Sequence, residues 1–247
     1  MLKKTTKLKT KKLLLHVCCA CCSTEVYNRL KEDYAVTLFW YNPNIYPYAE
    51  YKKRFDSFKK LVKNLGCQSI CHSRENGNPC LAGRQVLLVD PRLRGDDKTS
   101  EINFYKIENQ TWQKSIAGLE KEPEGGLRCE RCYRYRLEKT AEIAKENGFD
   151  IFATTLTISP HKNATIINQI GKYISAQVCH SREGGNLLLV GPHLHGDDNK
   201  KSTFLAADFK KQDGFKKSIE LSHKHNLYRQ NYCGCKYSIP HKVLYTH

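Results

Sequence analysis

The stretch that decides the fold is Lys12-Leu-Leu-Leu-His-Val17, which runs directly into Cys18-Cys19-Ala20-Cys21-Cys22. Its apolar run is typical of a buried β-strand. Residues 24–33 are predicted to form a helix, and residues 35–41 (Ala-Val-Thr-Leu-Phe-Trp-Tyr) have the β-branched and aromatic composition of a second strand. A strand, a helix and a second strand in this order predict a parallel sheet.

The same alternation continues along the chain. Further helices are predicted from helical spacing of apolar residues at 51–65, 130–147, 164–175 and 214–226, and further strands at 102–107, 149–157 and 204–209. We therefore predict an α/β fold with helices on both faces of a parallel sheet, of the Rossmann-like or HUP-like type. Ligands of such sheets bind at the carboxyl ends of the strands, where the cysteines after residue 17 would lie.

Composition narrows the class of protein. The 247 residues carry a formal net charge of +16, which predicts a polyanionic partner such as nucleic acid. Residues 1–12 form a lysine-rich tail, and residues 13–247 are expected to form a single catalytic domain. We expect neither a signal peptide nor a membrane span, and twelve cysteines in such a chain suit metal or redox chemistry in the cytoplasm better than a secreted disulfide scaffold.

Two segments resemble each other, at residues 71–78 with 87–97 and at residues 179–186 with 188–198. Both are rich in turn-forming residues, so we predict two inserted surface loops at about 68–99 and 177–201. Three cysteines and four histidines belong to these segments and are not expected to bind metal: Cys71, Cys80, Cys179, His72, His180, His193 and His195.

Three further groups of cysteines are candidates for chemistry: Cys18 to Cys22 after the first strand, Cys129 with Cys132 at the start of a helix, and Cys233 with Cys235. Four thiolates from Cys18, Cys19, Cys129 and Cys132 match the ligand set of a [4Fe–4S] cluster, in which Cys21 or Cys22 could replace one ligand. The Cys233-Gly-Cys235 pair would form a strained disulfide, of the labile and catalytic kind.

Other polar and aromatic residues are candidates beside the cysteines. Asp208 is predicted at a strand end, where it could bind metal, donate a proton or cap a helix. His161, with Lys162 and Asn163, could contact phosphate or substrate, or could lie in a solvated loop. Three tyrosines could stack on a splayed RNA base or belong to the core: Tyr41, Tyr46 and Tyr48.

Several ordered motifs carry a specific resemblance. They are His16 to Thr24, Tyr41 to Pro47, Pro123 to Cys132, Thr154 to Asn163, Ala207 to Phe209 and Tyr228 to Ser238. Together they resemble the cobalamin-independent epoxyqueuosine reductase QueH family. The resemblance implies reduction of epoxyqueuosine to queuosine at the wobble position of tRNA, with electrons from an unidentified donor.

The resemblance also implies site residues. Cluster ligands would fall on Cys18, Cys19, Cys129 and Cys132, and a redox-active pair on Cys233 and Cys235. A second iron is an additional candidate cofactor. Cys21 stands where the family usually has a small residue or proline, so it is not expected to be essential.

Two other classes of protein remain open on the residues alone. An ATP-using tRNA-modifying enzyme of the PP-loop kind would need Ser and Gly after the first strand, where this chain has cysteines. A non-catalytic zinc protein that binds RNA would have the same cysteine pairs but no redox activity.

Overall fold

The computed structural model describes residues 11–65, 86–87, 98–177 and 201–239, with side chains for all of these except 86–87 and 98–105. The seven cysteines and histidines assigned above to the inserts, and most of the lysine-rich tail, lie outside the described residues. The elements, in chain order, are β1 (Lys12–Val17), α1 (Ala20–Leu30), β2 (Ala35–Trp40), α2 (Tyr48–Asn64), β3 (Val86–Leu87), α3 (Lys98–Ser115), α4 (Leu127–Glu146), β4 (Ile151–Thr154), α5 (Ala164–Gln177), β5 (Thr203–Phe204) and α6 (Gly214–Lys224). Short 3-10 helices follow at Thr155–Ile158 and Lys236–Ser238.

The five strands form one sheet in the order β3-β2-β1-β4-β5, and every neighbouring pair is parallel. The predicted α/β class with a parallel sheet is confirmed. The chain moves from β1 to β2 on one side and returns to place β4 on the other side of β1. This reversal creates a crevice at the carboxyl ends of β1 and β4, the usual position of a ligand site in parallel sheets.

Helices cover both faces of the sheet because alternate residues of β1 point in opposite directions. Leu13 and Leu15 pack in a core with residues of α1 and α2, whereas Leu14 packs with residues of α4 and α5. The strand is therefore buried along nearly its whole length. No helix among the described residues is long and apolar enough to cross a membrane.

Three predicted strands need correction. Residues 102–107 lie in α3, not in a strand: their aromatic and β-branched side chains favoured a strand locally, but the segment continues helically to Ser115. Only Ile151–Thr154 of the predicted strand 149–157 is extended, since a 3-10 helix follows it. Only Phe204 of the predicted strand 204–209 is extended.

The first predicted insert also differs from expectation. Val86 and Leu87, inside the segment read as a loop, pair with Leu38 and Phe39 of β2. This segment therefore contributes the edge strand of the sheet. The second predicted insert falls between a helix, α5, and a strand, β5.

Candidate metal and redox centre

The first cysteine group lies where β1 ends and α1 begins. Cys19 is the N-cap of α1, and its sulfur accepts a hydrogen bond from the Cys22 backbone N–H at 3.2 Å, as a serine or threonine oxygen commonly does. The sulfur atoms of Cys18, Cys19 and Cys22 lie within 4.8 Å of one another. These three residues, called the cysteine triad below, could bind a metal ion.

Hydrogen bonding within the triad favours the thiolate form of Cys18. Hydrogen bonds from Cys19 and Cys22, with the nearby charges of Lys162 and Arg136, hold the pKa of Cys18 well below its usual range. The Thr155 hydroxyl donates a further bond to the Cys18 sulfur at 3.2 Å. The same arrangement raises the pKa of Cys19 and of Cys22, because both act as donors to Cys18.

Cys21 is separated from this charge system. Its thiol donates to the Tyr228 carbonyl at 3.2 Å, and burial raises its pKa. Its sulfur is not part of the triad. Of the two alternatives considered for a ligand, the structure therefore groups Cys22, and not Cys21, with Cys18 and Cys19.

The second cysteine group lies in the first two turns of α4. The Cys129 sulfur accepts a hydrogen bond at 3.2 Å from the N–H of Gly125, a residue that precedes the start of α4 at Leu127. Burial raises the pKa of Cys129 and raises that of Cys132 to about 12. A thiolate at either position therefore needs a cation beside it, which a metal centre supplies.

The third group, Cys233 and Cys235, belongs to a loop that α2 holds in place. The Arg54 guanidinium donates to the carbonyls of Tyr232 and Cys233, both at 3.1 Å, and to the Glu50 carboxylate at 2.7 Å. The next peptide is fixed as well, since the Tyr46 N–H donates to the Gly234 carbonyl at 2.7 Å. The eight cysteines among the described residues, including this pair, are free thiols.

These groups meet at two adjoining cavities. Cys129, Cys132, Cys233 and Cys235 all line a small inner cavity. A larger cavity of about 680 Å³, called the outer cavity below, is lined by Cys18, Cys21, Cys22 and Cys233. Cys233 borders both, so it lies between the triad and the cysteines of α4.

The inner cavity also has cationic walls. Arg128 and Arg136 line it, both are almost fully buried, and the Nε of each has no hydrogen-bond partner among the described residues. An unpaired guanidinium N–H inside a protein is costly unless an anionic group meets it. A thiolate-ligated iron–sulfur group carries such negative charge, so the residues present fit one.

The outer cavity is basic. Four cationic side chains line it, Arg54, Arg136, Lys162 and Arg229, against one carboxylate, Glu124. Burial would lower the pKa of Lys162, but the neighbouring Cys233, Cys18 and Cys22 outweigh burial and raise it. Lys162 therefore remains an ammonium ion beside the cysteines, in a cavity suited to an anionic substrate.

The other predicted site residues are distributed as follows. His161 is exposed on the wall of the outer cavity, whereas Asn163 caps α5 through hydrogen bonds from two backbone N–H groups. Asp208 lines neither cavity; it lies in a loop where its carboxylate accepts from the Lys210 N–H at 3.2 Å. Its proposed role stays a prediction.

The three tyrosines differ in exposure. Tyr41 is buried and donates to Glu108 at 2.6 Å, and the Tyr48 ring stacks on Tyr51. Tyr46 has 42% of its surface exposed, and its carbonyl accepts from the hydroxyl of Tyr232, which lines the outer cavity. Of these three, Tyr46 is the one available to stack on a base.

The cavity-lining residues that sequence reasoning missed include Arg54, Arg128, Arg136 and Tyr133. The sequence did contain an indication of Arg54, because Glu50 lies four residues before it, at the spacing of an ion pair on a helix. The other three lie beside Cys129 and Cys132 on one helix. Their positions could have been inferred from helical spacing alone.

Comparison with known proteins gives a consistent result. A family model described as "Epoxyqueuosine reductase QueH" matches residues 13–79, 95–183 and 189–241. Relatives of that name include one from Streptococcus pyogenes serotype M1, 34% identical over 92% of this chain and 69% of its own length. One from Staphylococcus epidermidis is 32% identical over 92% and 76%, and one from Thermotoga maritima is 28% identical over 92% and 90%. The resemblance noted in the sequence is confirmed.

Proposed function

This chain belongs to the epoxyqueuosine reductase QueH family, and we propose that its two adjoining cavities bind and reduce epoxyqueuosine at the wobble position of a tRNA. It is an oxidoreductase. One observation supports this location above others: Cys233 borders both the inner cavity, with Cys129 and Cys132, and the basic outer cavity, with Cys18. Thiol chemistry and an anion-binding space therefore share one wall.

The reaction removes the epoxide oxygen and leaves an alkene. Two electrons and two protons enter, two C–O bonds break, one C=C bond forms, and the oxygen leaves as water. Oxidation of Cys233 and Cys235 to a disulfide releases two electrons and two protons, which balances one turnover. An external low-potential electron carrier, whose identity is open, must then reduce the pair again.

We propose that Cys18, Cys19, Cys129 and Cys132 hold a [4Fe–4S] cluster, with Cys22 as the alternative ligand beside Cys18. The compact triad also supports a second proposal, in which Cys18, Cys19 and Cys22 bind one metal ion. Sulfur ligands around one tetrahedral metal ion at about 2.3 Å lie roughly 3.8 Å apart, and the three triad sulfurs lie within 4.8 Å of one another. The triad is thus also suited to a single iron. When bound, iron supplies electrons and a Lewis acid for the epoxide oxygen.

The chain's own residues supply binding and the proton. Lys162 lines the outer cavity with Cys18 and Cys233, whereas Asp208 lines neither cavity, so Lys162 is better placed to pass one of the two protons released by the cysteine pair to the departing oxygen. Arg229 and His161 on the cavity wall suit the RNA backbone. Tyr46 at the rim offers an exposed ring for a neighbouring unpaired base.

The test begins with anaerobic purification, an absorbance spectrum, and iron and sulfide analysis. We expect a brown protein that converts epoxyqueuosine in tRNA when supplied with a chemical reductant. Cys18→Ser and Cys129→Ser should lose iron and activity, whereas Cys21→Ser, outside the triad, should retain both. A colourless chain that takes up zinc and never converts epoxyqueuosine would instead identify a zinc protein that binds RNA.

A further inference from the structure

Two successive helices carry the same side-chain device, a glutamate followed four residues later by an arginine. In α1, Arg29 donates through Nε to Glu25 at 2.8 Å and through its two terminal nitrogens to the carbonyls of Lys211 and Gln212. In α2, Arg54 donates through Nε to Glu50 and through its terminal nitrogens to two consecutive carbonyls of another loop. Each guanidinium therefore fixes two adjacent peptide planes of a segment distant in sequence.

The two devices differ in what they hold. Arg29 holds the turn that precedes α6, and its side chain is 21% exposed. Arg54 is 2% exposed and holds the peptides of Tyr232 and Cys233. Its guanidinium also lies 5.0 Å from the centre of the Tyr232 ring.

The Arg54 device is reinforced on both sides. The Tyr228 hydroxyl donates to the second oxygen of Glu50 at 2.9 Å, which fixes the carboxylate that orients the guanidinium. Beyond Cys233, the Gly234 carbonyl is fixed by the Tyr46 N–H. With three successive carbonyls held, the backbone sets the direction of the Cα–Cβ bond of Cys233.

We propose that Arg54, oriented by Glu50, is a positioning residue for the reaction: it fixes the backbone of 232–234 so that the Cys233 sulfur stands between the inner and outer cavities. The inference rests on the proposed function only in taking Cys233 as a redox residue. Arg54 acts through its hydrogen bonds to carbonyls. A lysine has the charge but cannot make three bonds in a planar fork, so Arg54→Lys separates geometry from charge.

The experiment compares Arg54→Lys with Arg29→Lys, which damages the matching device away from the cysteines. Full-length anaerobic protein is treated with iodoacetamide, and alkylation of each cysteine is followed by peptide mass spectrometry. In Arg54→Lys we expect a several-fold change in the alkylation rate of Cys233, with the rate of Cys129 on α4 unchanged. In Arg29→Lys both rates should match the wild type.

Turnover gives the second measurement. Because a displacement of about 1 Å can cost roughly 100-fold, kcat for epoxyqueuosine tRNA should fall by that order in Arg54→Lys, with KM nearly unchanged. Glu50→Gln, which keeps the side-chain shape, should give an intermediate loss and serves if Arg54→Lys fails to fold. Equal Cys233 alkylation in the Arg54 and Arg29 variants overturns the inference. A wild-type chain without any reductase activity overturns the proposed function, and the alkylation comparison still decides the inference.

Discussion

Replacing Gly234 by alanine tests whether the loop that carries Cys233 is fixed by steric contact with α2. Gly234 has a φ of 127°, where an L-residue is strained. An added Cβ would lie 2.9 Å from Nη1 of Arg54 and 3.2 Å from Cγ1 of Ile45. Nη1 is the atom that donates to the Cys233 carbonyl, so the guanidinium would have to leave that hydrogen bond.

The expected loss has two parts. The unfavourable φ costs about 1–3 kcal/mol. A lost hydrogen bond from a charged donor costs about 1.5–3 kcal/mol more. Gly118→Ala is the matched control, because Gly118 has a φ of 83° and nothing within 4 Å of an added Cβ. Gly118→Ala should therefore show only the cost of the unfavourable φ.

The assay is thermal unfolding of both variants, with iron content and tRNA turnover measured on the same samples. A chain of this size loses about 2–4 °C in Tm per kcal/mol, so Gly234→Ala should melt roughly 3–12 °C below Gly118→Ala. It should also lose most of its turnover, whereas Gly118→Ala should keep it. Equal melting temperatures for the two variants would refute the steric link between Gly234 and Arg54.

Three further outcomes follow from other parts of the molecule. Burial lowers the pKa of His16 to about 3, so the folded protein keeps it neutral while the unfolded chain binds a proton below about pH 6.5. Because of this group, the free energy of unfolding measured in urea should fall by about 2 kcal/mol between pH 6.5 and pH 5. His16→Asn should remove this contribution to the dependence of the unfolding free energy on pH. Gly171→Ala would place a Cβ 2.4 Å from the Phe204 ring, and overpacking of this kind should cost about 1–3 kcal/mol in urea unfolding with no loss of iron. Lys162→Met should lower single-turnover conversion of epoxyqueuosine about 100-fold if Lys162 is the proton donor, and an undiminished rate would remove it from that role.

The sheet could be predicted from sequence where a strand is buried on both faces. β1 was predicted at its observed bounds because an apolar run of that length, ending in cysteines, has few alternatives. The strand predicted at residues 102–107 was wrong because contacts between residues far apart in sequence decide the structure there. Their composition favours a strand locally, whereas the helix is stabilised further on, where Trp112 and Ile116 pack against Cys132 and Cys235. That contact joins residues far apart in sequence.

The candidate site was predictable to the level of an edge of the sheet, but not to the level of atoms. Parallel strands place the loops that follow them at one edge, so the cysteines after β1 could be predicted to lie there. Which sulfurs come together depends on the N-cap geometry of Cys19, which brings Cys22 close to Cys18. The position of Cys233 depends on Arg54, and no local pattern around Cys233 indicates it.

The order of the strands also indicates where the two predicted inserts join the fold. We propose that both inserts are additions to an otherwise regular alternation of strands and helices. The family match is interrupted at 80–94 and 184–188, inside both predicted segments but shorter than either. The second segment joins the end of α5 to β5, so it enters the sheet at the amino ends of the strands, opposite the edge that holds Cys18. The first precedes and includes β3, the edge strand beside β2. The second segment thus adds residues at the amino ends of the strands, whereas Glu50 and Arg54 hold the loop of Cys233 and Cys235.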